Sequence, residues 1–153
     1  MPTRIFVDAD ACPVKDEVYK VARRYGLQVY VVAGSFLMVP KEPRIERVIV
    51  EAGPDAADDW IAEQVQRGDV VITHDIPLAS RCLKSGALVL GPSGRVFTED
   101  SIGQALAGRA IGEHLRSVGE ITRGPPPFQA KDRSRFLSAL DEAVHRAKRL
   151  GGG

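Results

Sequence analysis

The alternation of short apolar runs with amphipathic stretches constrains this chain more than any other feature. Apolar runs rich in β-branched residues predict buried strands at Arg4–Asp8, 28–32, 47–51, 69–73 and 87–90. Strands that alternate with helices form a parallel sheet, and uniformly apolar strands indicate helices on both faces. We therefore predict an α/β fold, a three-layer α/β/α sandwich around a central, mostly parallel sheet in the order 3-2-1-4-5.

Helices are predicted between these strands. One begins near Pro13 and ends at Gly26, a second runs from Asp55 to Gly68, and a third covers 76–85. Each has apolar residues on one side only, which is typical of helices that cover one face of a sheet.

The part that follows Gly91 has a different pattern. It predicts an edge strand at 95–98, a glycine-interrupted helix over 100–117, a proline-rich loop at 124–127 and an amphipathic helix over 131–150. We expect a single domain over 1–150, with a core of 1–98 and a C-terminal helical part of 99–150. The glycines at 151–153 are expected to be a disordered tail.

Composition excludes several classes of protein. The formal net charge of +1 excludes a strongly basic nucleic-acid coat and an acidic disordered tail. No apolar run reaches membrane-spanning length, and the start has no signal-peptide layout. Two cysteines, Cys12 and Cys82, predict reduced thiols and a cytoplasmic location with no membrane association.

Acidic side chains follow two strands that the predicted sheet order makes neighbours. Asp8 and Asp10 lie at the end of the first strand, and Asp75 lies just past the end of the fourth. Ligands bind doubly wound sheets at the carboxyl ends of the strands, at the point where the strand order reverses. We expect these three carboxylates to meet in one crevice there.

The helix that follows the third strand opens with further carboxylates at the same sheet edge. Asp58 borders the buried face that Ala57 and Ile61 define, whereas Asp59 points nearly opposite. We expect Asp58, with Asp55 behind it, to approach the crevice and Asp59 to be solvated.

Several carboxylates in one crevice raise one another's pKa unless a cation compensates their charge. Hard divalent cations prefer oxygen ligands, and Mg²⁺ or Mn²⁺ sites commonly combine a few carboxylates with water. Such an ion activates water and stabilises the charge that develops on a phosphate. The acidic set thus predicts metal-assisted phosphodiester hydrolysis with Mg²⁺ or Mn²⁺.

Some of these acids also have a structural interpretation. Asp55 could cap a helix, the helix dipole favours Asp58 in a first turn, and Asp75 could shape a turn. A strand end offers no dipole benefit to Asp8 and Asp10, so the functional interpretation is strongest for that pair.

Positive charge concentrates in the C-terminal part. Residues 109–150 carry nine basic and five acidic side chains, a net charge of +4, against −3 for the rest. Arg133 lies on the apolar face of its predicted helix, in a first turn that disfavours cations. It requires an acidic or phosphate partner, at the crevice rim or in a simple surface salt bridge, whereas Arg135 points outward. Arg146 and Arg149 have the pattern of ordinary solvated charges.

Four motifs resemble a known family: VDADACP at 7–13, GPDAAD at 53–58, VITHDIPLA at 71–79 and KDRSRF at 131–136. In this order they resemble the YaiI/YqxD family of bacterial proteins, a branch of the PIN-like superfamily of mostly metal-dependent ribonucleases. The resemblance implies a PIN-like fold. It also implies an acidic catalytic and metal-binding set beside Thr73, with Arg133 and Arg135 as substrate-binding candidates; that acidic set is Asp8, Asp10, Asp55, Asp58 and Asp75.

Three functions stay open at this point. The first is a Mg²⁺- or Mn²⁺-dependent nuclease that acts on RNA, with Asp8, Asp10 and Asp75 as ligands and Asp58 completing the set. The second is a phosphatase of the haloacid-dehalogenase kind, with Asp8 as the nucleophile and Asp10 as the general acid. The third is a non-catalytic module that binds metal or nucleic acid. The sequence predicts no particular oligomeric state.

Overall fold

Strands and helices alternate along the chain in the computed structural model, which describes residues 3–9, 12–34, 37–50, 56–103 and 130–150. The strands are β1 (Arg4–Asp8), β2 (Gln28–Ala33), β3 (Ile45–Ile49), β4 (Val70–Ile72), β5 (Leu88–Leu90) and β6 (Val96–Phe97). The helices are α1 (Lys15–Tyr25), α2 (Ala56–Gln64), α3 (Ile76–Lys84) and α4 (Ala130–Leu150). Residues 99–103 are helical as well.

The strands form one open six-stranded sheet in the order β3-β2-β1-β4-β5-β6. Strands β1 to β5 pair in parallel, and β6 adds to β5 in the antiparallel direction. The predicted fold class and the order 3-2-1-4-5 are therefore confirmed. The reversal of strand order lies between β1 and β4, which places the carboxyl ends of these two strands side by side.

Two helical layers cover the sheet. Helices α1 and α4 pack on the face that Ile5 and Val7 line, and α2 and α3 pack on the face that Phe6 lines. Neighbouring residues of β1 thus point into opposite cores, because side chains alternate along a strand. Since both faces are covered, β1 and β4 are buried almost throughout, as their uniformly apolar sequences predict.

Strand β3 lies two residues earlier than the prediction of 47–51. Its parallel pairing with β2 begins where Ile45 lies opposite Val29, and the Val29 N–H donates to the Arg44 carbonyl at 2.7 Å. The apolar run 48–50 shifts a sequence-based assignment towards the C-terminus, whereas the strand begins at the buried Ile45. The predicted loop at 124–127, the tail at 151–153 and most of the helix predicted over 100–117 lie outside the described residues.

Helices α1 and α4 run parallel to each other with a constant offset in sequence. Arg133 donates to Glu17, and the Tyr25 hydroxyl donates to Asp141, each pair being 116 residues apart. The Tyr25 hydroxyl also lies 3.0 Å from His145 Nε2. Both helices therefore run from the carboxyl edge of the sheet towards its amino edge. None of the described helices combines the length and apolarity needed to cross a membrane.

Tyr19 on α1 buries a hydroxyl that has no hydrogen-bond partner in the described part of the chain. Burial, with a smaller contribution from Asp16, raises the pKa of Tyr19 from 10.0 to about 12. The folded protein keeps this proton where the unfolded chain releases it. The free energy of unfolding is therefore insensitive to this group below pH 10 and falls as the pH rises towards 12.

We expect Tyr19→Phe to raise the free energy of unfolding by about 1 kcal/mol at neutral pH, because it removes an unsatisfied buried hydroxyl. It should also remove an alkaline loss of up to about 1.4 kcal/mol per pH unit. Urea unfolding at neutral pH and at several pH values above 10 measures both effects. An alkaline loss as steep as that of the wild type would contradict this assignment.

Candidate functional site

Asp8 and Thr73 meet where β1 and β4 end. The parallel register pairs Val7 with Ile72, so the residues that follow them lie side by side at the carboxyl edge. The Thr73 hydroxyl donates to Asp8 Oδ2 at 2.8 Å, and Thr73 is only 2% exposed. A buried hydroxyl thus fixes the orientation of the Asp8 carboxylate, which is itself half-buried.

The same hydroxyl connects this pair to Asp75. Thr73 Oγ1 accepts a hydrogen bond from the Asp75 backbone N–H at 3.0 Å. The Asp75 side chain caps α3, because its Oδ1 accepts from the Leu78 N–H at 2.9 Å. Asp75 therefore has a structural role as a helix cap, whereas the sequence suggested that it could shape a turn. Its second oxygen, Oδ2, makes no hydrogen bond within the described residues.

Asp58 approaches the same region from the first turn of α2. Burial raises the pKa of the Cys82 thiol to about 12, Arg81 opposes this shift, and the carboxylates of Asp58 and Asp8 add to it. Asp58 is half-buried.

Asp59, the next residue along α2, has a different environment. It is exposed and accepts a hydrogen bond from Arg81 Nη1 at 2.8 Å. The two neighbouring aspartates therefore differ in exposure, since Asp58 is half-buried and Asp59 is exposed. Because it is the same residue type in the same helix, Asp59 is a natural control for substitutions of the site.

The remaining predicted ligands, Asp10 and Asp55, lie outside the described residues. Within 3–9, 12–34, 37–50, 56–103 and 130–150, no group of three or more His, Cys, Asp or Glu is arranged to hold a metal ion. The donors that the structure does place at this edge are carboxylate oxygens of Asp8, Asp58 and Asp75. That donor type fits a hard divalent cation, so Mg²⁺ or Mn²⁺ binding stays a prediction.

Arg133 lies at the same edge and contacts α1. Its Nη1 donates to the Pro13 carbonyl at 2.8 Å and to Glu17 Oε1 at 3.1 Å. This is the surface salt bridge that the sequence left as an alternative to a phosphate contact. Arg135 points outward as predicted, with a side chain that is 64% exposed and a contact of 4.0 Å to Asp132. Substrate binding by either arginine stays a prediction.

The described cysteines are buried and are poor nucleophiles. Burial raises the pKa of Cys12, and the nearby carboxylates of Asp8 and Glu17 add to that rise. The sequence did not predict that the Asp58 and Asp8 carboxylates both raise the pKa of Cys82, because the spacing of these residues does not indicate where α3 packs. His74, between Thr73 and Asp75, is exposed.

The Thr73 hydroxyl provides a test of this geometry. We expect Thr73→Val to lower the free energy of unfolding by about 1–3 kcal/mol, because the Asp75 N–H loses its acceptor and Asp8 loses a donor. Thr73→Ser keeps the hydroxyl and should cost about 1 kcal/mol for the lost methyl group. Urea unfolding of both variants measures the difference. Equal losses for the two would show that the hydroxyl contributes nothing.

The fold and this edge define a class: an α/β protein with an open, mostly parallel sheet, in which aspartates gather around a buried threonine where the strand order reverses. A family model described as "Uncharacterized BCR, YaiI/YqxD family" matches residues 6–146. The chain therefore belongs to the YaiI/YqxD family, which confirms the resemblance found in the four motifs.

Similar proteins extend over nearly the whole chain. A UPF0178 protein of Caulobacter sp. (strain K31) is 64% identical over 148 residues, which cover 97% of this chain and 98% of that protein. A UPF0178 protein of Caulobacter vibrioides (strain NA1000 / CB15N) is 60% identical over 149 residues, 97% of each chain. One of Rhodopseudomonas palustris (strain HaA2) is 62% identical over 148 residues, covering 97% of this chain and 90% of the relative.

Proposed function

We propose that this protein is a nuclease that depends on Mg²⁺ or Mn²⁺ and hydrolyses phosphodiester bonds of RNA at the carboxyl edge of β1 and β4. One observation carries the proposal: the Thr73 hydroxyl joins Asp8 to the backbone of Asp75, although 65 residues separate Asp8 from Thr73. The contact supports the proposal because it brings Asp8 and the backbone of Asp75 to the edge where sheets of this type bind ligands.

Each residue has a definite task in this proposal. Thr73 holds the Asp8 carboxylate in one orientation, the cap of α3 holds Asp75, and Asp58 lies in the first turn of α2. Asp10 and Asp55 would complete the set of ligands that the family resemblance implies. Mg²⁺ or Mn²⁺, when bound, would supply an activated water and compensate charge on the phosphate. The aspartates would hold the ion, because their combined negative charge favours a cation.

The proposal is tested with end-labelled single-stranded RNA and the purified protein in Mn²⁺, in Mg²⁺ and in EDTA. We expect cleavage with either metal and none in EDTA. A matched assay uses a small phosphomonoester and probes for a trapped aspartyl-phosphate.

Three results would overturn the proposal. Hydrolysis of the phosphomonoester through an aspartyl-phosphate, with intact RNA, identifies a phosphatase that uses Asp8 as its nucleophile. A melting temperature raised by divalent ions without hydrolysis of either substrate identifies a binding module. Cleavage of RNA at the same rate in EDTA shows that hydrolysis does not require a divalent metal ion.

A further inference from the structure

The two helical layers carry opposite charge. Helices α1 and α4 together have ten basic and five acidic side chains, a net charge of +5. Helices α2 and α3 on the other face have two basic and three acidic side chains, a net charge of −1. The overall charge of +1 therefore conceals one basic layer, and a basic layer is the electrostatic feature that nucleic-acid backbones recognise.

The charge of α4 concentrates in one stripe, here called the α4 stripe. Its charged members follow one another at spacings of three, four or seven residues and so share one side of the helix. They are Lys131, Arg135, Glu142, Arg146 and Arg149, all exposed. The stripe lies opposite the buried face of α4, which Phe136, Leu140 and Val144 form with two alanines. It extends for roughly 27 Å along the helix at 1.5 Å per residue.

The basic side chains of the α4 stripe form few ion pairs with the rest of the described structure. Among the described residues, Lys131, Arg146 and Arg149 make no ion pair, and Arg135 makes only its 4.0 Å contact with Asp132. By contrast, Arg133 and Arg24 on the other flanks of this helix pair bind Glu17 and Asp141. Of the four exposed cations of the stripe, three thus have no ion-pair partner among the described residues.

The α4 stripe runs between the two edges of the sheet and starts near the edge that carries Asp8. Arg133, two residues after Lys131, contacts the Pro13 carbonyl, and Pro13 lies between β1 and α1 at the carboxyl edge. The stripe therefore begins beside the edge that carries Asp8 and runs away from it towards the amino edge of the sheet.

We propose that the α4 stripe binds the phosphate backbone of RNA and directs the strand towards the acidic edge. This inference rests on the proposed function, which it extends from the site of hydrolysis to the surface that holds the substrate. The contacts would be to phosphates, because the described stripe has charges but no aromatic side chains on which bases could stack.

The test compares two double variants that change the net charge equally. Arg146→Glu/Arg149→Glu alters the α4 stripe, and Arg67→Glu/Lys84→Glu alters two exposed cations elsewhere. Binding of fluorescently labelled single-stranded RNA is measured by anisotropy in EDTA at several salt concentrations, and thermal unfolding verifies that each variant folds. We expect the stripe variant to bind about tenfold more weakly or worse, with a shallower dependence of log Kd on log salt, and the control to stay within about threefold.

Glu142→Lys is a second variant for the same binding experiment, and it changes the stripe without removing any of its cations. It removes the carboxylate of the stripe, so we expect RNA binding several-fold tighter than that of the wild type. Equal weakening by both double variants, or unchanged binding in the stripe variant, would overturn the proposal.

The outcome is separable from that of the proposed function. Wild-type cleavage of RNA with normal binding by the stripe variant would reject the stripe and leave the nuclease intact. Stripe-dependent binding of RNA that is never cleaved with Mn²⁺ would reject the nuclease and leave the stripe intact.

Discussion

Asp8→Asn is expected to reduce metal-dependent RNA cleavage by roughly a hundredfold to a thousandfold, which corresponds to several kcal/mol of lost stabilisation. Asparagine has nearly the shape of aspartate, and its carbonyl oxygen can accept the hydrogen bond that Thr73 donates at 2.8 Å. The fold and the position of the side chain are thus retained, and the negative charge is removed. The measurement is kcat/KM for labelled RNA as a function of Mn²⁺ concentration.

Asp59→Asn is the matched control for this experiment. It makes the same chemical change one residue after Asp58, on an exposed side chain that pairs with Arg81. We expect its cleavage rate to stay within about threefold of the wild type, because exposed ion pairs contribute less than about 1 kcal/mol. If both variants lose activity equally, the loss reflects net charge and not a site at Asp8.

Asp69→Ala is expected to give the largest loss of stability, about 3–5 kcal/mol in the free energy of unfolding. Asp69 precedes β4, is 3% exposed, and accepts from the Arg4 backbone N–H at 3.2 Å. It also accepts from Arg4 Nη2 and from the Gln66 N–H, each at 2.8 Å. Removal of the carboxylate leaves these donors and a partly buried guanidinium without compensation. Urea unfolding at neutral pH measures the loss.

Asp59→Ala provides the comparison for Asp69→Ala. Its ion pair with Arg81 is exposed, with side-chain accessibilities of 56% and 47%, so we expect a loss below about 1 kcal/mol. Similar losses for the two variants would mean that the buried carboxylate contributes no more than a surface charge. Because Asp69 lies at the amino edge, the effect on stability should be separable from catalysis at the carboxyl edge.

Sequence periodicity predicts most of the strands, because the pattern of apolar residues in each element depends only on which of its own faces are buried. Strands covered on both faces are apolar throughout, and helices that cover one face repeat their apolar residues every three or four positions. The prediction was displaced by two residues at β3, where the apolar residues at 48–50 lie at the end of a strand that begins at Ile45. An edge strand has fewer buried positions, so its pattern is weaker.

The contacts between distant elements could not be read from the sequence in the same way. The meeting of Asp8 with Thr73 follows from the strand order, whereas the sequence analysis placed Thr73 beside the acidic set only through the family resemblance. The salt bridge of Arg133 with Glu17 depends on how α4 lies against α1, and the effect of Asp8 on the pKa of Cys82 depends on the path of α3. Local spacing contains no information on either arrangement.

The parallel pairing of α1 and α4 has a consequence for synthesis of the chain. Phe136, Leu140 and Val144 belong to the same buried cluster as Val18 and Val21, so this core joins residues more than a hundred positions apart. In a nascent chain leaving the ribosome, the part of this core that α4 covers therefore stays exposed until α4 has emerged. During that interval, the first half of the protein should depend on chaperones, and slowing translation just before α4 should increase its aggregation.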